Sequence, residues 1–277
     1  MNINKYVYIF IYMKNISPLR YPGGKSRACK ILDEILNKNF QLEEFTTIIS
    51  PFFGGGSFEF YLQNKYDYNL IVNDKFKPLY NFWNQCKTNK NKLYEEVNKN
   101  KNITKEKFKE YRENIMDLDS DLNQASYFFI INRCSFSGAT LSGGFSQEAS
   151  QKRFTQSSID KIKDLDLSKL EISNLDFEEF IKNSYKNKDT SKCLMFLDPP
   201  YYLEKGSKLY GENGDMHESF DHKKLYKTIK NKKNWIMTYN DCEYIRDLYK
   251  DFKVIETSWS YGMNKTKESS ELIIISI

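Results

Sequence analysis

The stretch from Thr46 to Trp83 constrains the fold more than any other. Thr46 to Ile49 is a β-branched run cut off by Ser50-Pro51-Phe52-Phe53-Gly54-Gly55-Gly56-Ser57, after which Phe58, Tyr61 and Leu62 recur at amphipathic spacing. That order reads as strand, glycine loop, helix. Asn69-Leu70-Ile71-Val72-Asn73-Asp74 follows as a second apolar strand with an acidic residue at its carboxyl end, and Leu79, Phe82 and Trp83 resume helical spacing. Two apolar strands joined by a helix within about 30 residues form a βαβ unit, the opening of a doubly wound parallel sheet. Strand signals resume at Leu170–Ile172, Cys193–Leu197, Trp235–Thr238, Val254–Thr257 and Glu271–Ile277, with a hairpin tip expected from Tyr261 to Ser269.

Between about Cys86 and Ser157 the pattern differs: polar, lysine-rich helices, one apolar helix over Ala125–Ile131, and a Ser/Gly-rich stretch from Ser135 to Ser150. The simplest account is an α/β, Rossmann-like domain over 13–85 and 158–277, helices on both faces. It is interrupted over 86–157 by a smaller, mostly helical insert with a hairpin. A chain of 277 residues accommodates two such domains at most and needs no disulfide or metal staple.

Cys29, Cys86, Cys134, Cys193 and Cys242 are scattered, with no Cys-x-x-Cys pair and no histidine cluster, so neither zinc nor any other metal is expected. Free thiols point to a reducing cytosol. The apolar run Val7–Tyr12 is far shorter than the roughly 20 residues that cross a bilayer. Lys14 follows it without a small-residue cleavage site, which also speaks against a signal peptide. Met13 opens the segment that reads as the domain start, leaving the first twelve residues as an extension. The net charge of +5 permits nucleic acid as a partner without requiring it. The lysine-rich runs Lys87–Arg112 and Lys223–Lys233 read equally well as solvated helix faces.

Asp198-Pro199-Pro200-Tyr201 carries the sharpest chemical signal, because it directly follows the buried strand Cys193–Leu197, where open α/β sheets bind ligands. An exocyclic amine on an aromatic base is a weak nucleophile, since its lone pair is delocalised into the ring. Groups that accept its hydrogens localise that pair. Asp198 supplies a carboxylate acceptor, the Pro199 carbonyl a second, and the two prolines fix the backbone that presents it. Tyr201 offers a flat face for a base, which must leave a duplex to reach such a pocket. A rigid Pro-Pro turn capped by Asp198 is the plainer alternative.

The glycine loop allows close approach of a cofactor, but its spacing is not G-x-G-x-x-G. Asp74 suits the hydroxyls of a ribose and equally a helix N-cap. In Arg20-Tyr21-Pro22-Gly23-Gly24-Lys25-Ser26-Arg27, the Gly-Lys-Ser tail invites a P-loop reading, which fails because Leu19 stands where the first glycine is required. A lysine and backbone amides at a helix start still suit a carboxylate.

In combination these segments resemble the D12 class of adenine-specific DNA methyltransferases, the Dam-type enzymes. Tyr21-Pro22-Gly23-Gly24-Lys25 is similar to the family's amino-terminal cofactor motif, Pro51 to Ser57 to its glycine loop, and Asp198 to Tyr201 to its catalytic motif. Asn174-Leu175-Asp176-Phe177 resembles the pair that holds the cofactor adenine. Asn132-Arg133 with Phe136 and Gly138 resembles the DNA-contacting segment. One departure is Ser50, where the family often has an acidic residue. The resemblance implies S-adenosyl-L-methionine as cofactor, held by Tyr21, Gly24, Lys25 (its carboxylate), Phe53, Gly54, Gly55, Ser57, Asp74 (ribose), Asp176 and Phe177 (adenine), with Asp198 adjoining. It implies Asp198, Pro199, Pro200 and Tyr201 as catalytic, and Asn132, Arg133, Phe136 and Arg153 as DNA contacts. Seen alone, Phe177 reads as a core residue.

No cysteine follows a proline, which excludes cytosine-C5 chemistry, and Asp198 rather than serine or asparagine favours adenine over cytosine or amide nitrogen. The expected activity is therefore site-specific methylation of adenine N6 in double-stranded DNA by a cytoplasmic, monomeric enzyme, as in restriction-modification. An RNA adenine methyltransferase and a catalytically silent DNA-binding scaffold remain as alternatives.

Overall fold

The computed structural model describes residues 15–21, 23–186, 188–202, 220–260 and 268–276. Seven strands, β1 (Thr47–Ser50), β2 (Asn69–Asn73), β3 (Leu170–Ser173), β4 (Cys193–Leu197), β5 (Trp235–Asn240), β6 (Lys253–Ser260) and β7 (Glu268–Ser276), form one sheet in the order β3-β2-β1-β4-β5-β7-β6. The first five in that order are parallel, whereas β7 runs antiparallel between β5 and β6. This is the Rossmann-like, mixed α/β arrangement expected of a methyltransferase. Strand order reverses between β1 and β4, so a crevice opens at their carboxyl ends.

Successive residues of the central strands feed two cores, as the period of two demands. Ile48, Leu70, Val72, Leu194, Phe196 and Ile236 face one cluster, while Ile49, Ile71, Met195, Leu197 and Met237 face the other. Helices α1 (Cys29–Asn39), α2 (Ser57–Tyr66) and α3 (Lys77–Thr88) cover the first face. The second is covered by α9 (Phe177–Ser184), α10 (His222–Ile229) and α11 (Glu243–Leu248). Burial on both faces explains why these strands read as unbroken apolar runs.

The intervening helices are α4 (Lys90–Lys99), α5 (Lys105–Asn114), α6 (Asp121–Cys134), α7 (Gln147–Lys152) and α8 (Gln156–Asp164). Polar side chains start several of them: Thr104, Ser120, Ser146 and Thr155 each accept a backbone N–H three residues on. In α6, Ala125, Phe128, Phe129, Ile130 and Ile131 are all buried, and the Phe129 ring stacks on Phe82 of α3 at 5.4 Å. The helices of 86–157 therefore share one continuous core with the sheet. No described helix is long and apolar enough to cross a membrane.

In the Ser/Gly-rich stretch, the expected hairpin is reduced to a single antiparallel bridge, Ser135 to Phe145, enclosing two short 3-10 turns. Ser137, Gly138 and Thr140 take positive φ values of 54°, 73° and 46°, which interrupt any ladder. Val7–Tyr12, Met13, Pro22 and residues 261–267 of the expected tip lie outside the described residues, and Glu268 and Ser269 already belong to β7.

Candidate active site

The tetrapeptide Asp198 to Tyr201 leaves the carboxyl end of β4 at the switch point, with Pro199 buried and the other three half-buried. Both oxygens of Asp198 accept from Lys25 Nζ, at 2.7 and 2.8 Å, and Oδ1 also accepts from Thr238 Oγ1 at 2.7 Å. Lys25 is only 3% exposed at its side chain, against 23% for Asp198, and its ammonium sits 5.1 Å from the centre of the Tyr201 ring. A buried ammonium requires such a partner. Lys25 thus bridges the amino-terminal motif and the catalytic motif, 173 residues apart.

The glycine loop joins β1 to α2. Gly54 has φ +50°, and a methyl group there would stand 2.9 Å from Tyr21 Cε1; one on Gly55 would meet Tyr21 Cβ at 2.9 Å. Only glycine therefore lets Tyr21 lie on the loop. Asp74 holds the loop from beneath: its carboxylate accepts from Gly54 N and from Phe76 N, both at 2.9 Å. Burial pushes its carboxyl up to about 6, against the pull of those two amides. Ser57, half-buried, opens α2.

Phe53, expected to line a cofactor site, points its ring into the core instead, 2% exposed against Phe60 and Trp83. Its neighbour Phe52 faces the other way and meets Phe177 at 5.8 Å and Phe220 at 5.6 Å. Phe177 is buried with Lys224 Nζ 5.3 Å from its ring centre. Asp176 caps α9 through Glu178 N and pairs with Lys224 and Lys75. Partial burial opposes its ionisation, but the hydrogen bonds from Glu178 N and Lys224 prevail and hold its carboxyl below the usual range.

On the insert side, Asn132, expected to contact DNA, is fully buried. Its amide accepts from Arg20 N at 2.9 Å and donates to Arg20 O at 2.6 Å. Arg133 is half-buried and donates to the Pro18 and Arg153 carbonyls. Burial, reinforced by the charge of Arg20, pulls its guanidinium down to about 10. Arg153 is exposed, and Phe136 is exposed to 71%.

Sequence reasoning missed Thr238 and Glu59. Ser50 Oγ donates to Glu59 Oε1 at 2.6 Å, so an acidic side chain stands beside Ser50 after all, contributed by α2. Burial pushes the Glu59 carboxyl up to about 8, helped by the nearby Asp198 charge and opposed by Ser50 and Lys25. An acid raised above its unfolded value stays protonated in the folded state while the unfolded state ionises. Its contribution to stability is therefore full below about pH 4.5 and is lost as pH rises towards 8. Glu59→Gln is expected to melt with wild type near pH 5 and above it by several degrees at pH 8.5. Parallel melting curves at both pH values would exclude the raised carboxyl.

Two comparisons with known proteins show the family. Residues 21–263 match the family described as D12 class N6 adenine-specific DNA methyltransferase. The chain is also 25% identical over 203 residues to the Type II methyltransferase M.MjaIII of Methanocaldococcus jannaschii, covering 66% of this chain and 68% of that protein. With the match spanning the amino-terminal motif, the glycine loop and Asp198 to Tyr201 in order, the chain belongs to the D12 class of N6 adenine-specific DNA methyltransferases.

Proposed function

We propose that the protein transfers the methyl group of S-adenosyl-L-methionine to N6 of an adenine rotated out of double-stranded DNA, within a short recognition sequence. The observation that carries this reading is the Asp198 carboxylate, fixed at the switch point by Lys25 and Thr238 and followed by a proline-restrained carbonyl and an aromatic ring. Asp198 and the Pro199 carbonyl accept the two amine hydrogens and localise the nitrogen lone pair, while Tyr201 stacks on the base. The amine nitrogen would attack the methyl carbon in line, without a covalent enzyme intermediate, as the methyl–sulfur bond breaks and S-adenosylhomocysteine leaves. The Asp198 carboxylate would stabilise the positive charge arising on the nitrogen and take up its surplus proton for release to water.

The crevice fits the cofactor chemically. The Tyr21-covered glycine loop provides a close-approach surface, Gly24 and Lys25 a place for a carboxylate, Asp74 acceptors for hydroxyls, and Phe177 with Asp176 an aromatic and polar edge for adenine. When bound, S-adenosylmethionine supplies the electrophilic methyl group on a sulfonium. With the cofactor bound, Lys25 would be shared between Asp198 and the cofactor carboxylate.

On the DNA side, residues 86–157 act as the recognition module, with Arg133 and Arg153 near phosphates or base edges and Phe136 at the duplex. Phe136 is exposed three residues after Arg133, whose charge interacts with those of Arg20 and Arg153, and an exposed phenylalanine in a basic segment has the composition of a wedge that enters a base stack. Phe136→Ala is expected to leave thermal stability within about 0.5 kcal/mol of wild type, as for an exposed residue, and to weaken duplex binding about tenfold. Unchanged binding in a fluorescence-anisotropy titration would remove Phe136 from the interface. The likeness to a Type II methyltransferase supports a role in restriction-modification, and the same reading has the enzyme acting as a cytoplasmic monomer.

Incubation with tritiated S-adenosylmethionine and mixed-sequence duplex, followed by nucleoside chromatography, tests the reaction. Label on N6-methyldeoxyadenosine supports it. No label in DNA while the cofactor is bound overturns it.

A further inference from the structure

Three side chains, two at the carboxyl end of β5 and one in the adjoining amino-terminal half of β7, grip the catalytic tetrapeptide and its neighbour. Thr238 and Asn240 lie two apart in β5 and so project from one face; Glu271 pairs with Asn240 across β7 and shares that face. Thr238 Oγ1 donates to Asp198 Oδ1 at 2.7 Å, Asn240 Nδ2 donates to the Tyr202 carbonyl at 2.8 Å, and the Tyr201 hydroxyl donates to Glu271 Oε2 at 2.6 Å. Thr238 is 0% and Glu271 1% exposed.

Glu271 is out of keeping with its strand. Leu272, Ile273, Ile274 and Ile275 beside it are buried and apolar, and a carboxylate withdrawn from water at such a position needs strong compensation. A short phenol–carboxylate hydrogen bond is compensation of that kind. It also has a geometric effect. The Tyr201 ring is held at its base by the proline-restrained backbone and at its tip by Glu271, so its tilt is set before any base arrives.

We propose that Glu271 is a positioning residue for methyl transfer, fixing the plane of the Tyr201 ring against the target base while Thr238 orients the Asp198 carboxylate on the same sheet face. The proposal rests on the reading that Asp198 and Tyr201 receive the adenine. Base and acceptors then meet in one prearranged geometry, and loss of the anchor slows the chemical step rather than binding.

The test is single-turnover methylation of a duplex by Glu271→Met, which keeps side-chain volume and removes the acceptor. Its transfer rate constant is expected to fall about 30-fold, because small misplacements near reacting atoms cost up to about 100-fold. Affinities for S-adenosylhomocysteine and DNA should stay within about twofold, and Glu271→Gln, whose amide oxygen still accepts, within about fivefold of the wild-type rate. In a Tyr201→Phe background, Glu271→Met should cost almost nothing more, since the hydroxyl it holds is gone. A folded Glu271→Met at the wild-type rate, or losses that multiply in the double variant, would overturn the proposal while wild type still methylates. Absence of transfer by wild type itself would overturn the underlying reading as well.

Discussion

Asp198→Ala is expected to lose methyl transfer below about one-thousandth of the wild-type rate while binding duplex DNA within about threefold. The carboxylate is not a structural cap: it is 23% exposed, faces the crevice, and accepts from two side chains that come from opposite ends of the chain. DNA affinity should survive because the basic residues proposed to meet phosphates lie outside the tetrapeptide. Affinity for S-adenosylhomocysteine should rise, because Lys25 no longer spends its ammonium on Asp198. Tritium transfer and calorimetry report the two effects. Residual transfer above about one-tenth of wild type would remove Asp198 from the chemistry.

Lys25→Met should act in the opposite sense on the cofactor. It removes the cation from the amino-terminal motif, and affinity for S-adenosylhomocysteine is expected to fall about 100-fold, in the range for truncating one partner of a buried charge pair. It also leaves Asp198 without its counter-charge. The accompanying destabilisation should fall short of the about 3–5 kcal/mol of a fully buried pair, since Asp198 retains some water. Adding Asp198→Asn should restore stability but not affinity, which separates the two roles of Lys25. Wild-type calorimetric affinity in Lys25→Met would remove it from the cofactor site.

Much of this architecture was legible in the residues. The parallel strands announce themselves as apolar runs because both of their faces are covered, and Gly54 and Asp198 stand at strand ends where an open sheet binds ligands. What could not be read was register. Nothing in the run Glu271–Ile277 shows that β7 inserts between β5 and β6, and without that pairing Glu271 has no relation to Tyr201. The Lys25–Asp198 pair is similarly a product of folding across the whole chain. Asn132 illustrates the converse, a polar residue in a helix end that reads as a contact but is buried to bond backbone. Phe53 and Phe52 differ by one residue, and a strand-to-loop turn sends one ring to Trp83 and the other to Phe177.

The reciprocal bond between Asn132 and the Arg20 main chain ties the insert to the segment that carries Lys25, five residues on. The element that would read the duplex and the element that would carry out transfer are thereby measured from a common datum, as two holes drilled from one reference edge keep their spacing however the workpiece is clamped. Alignment between reading and transfer would then rest on two hydrogen bonds and five residues of chain rather than on the accumulated tolerance of the sheet.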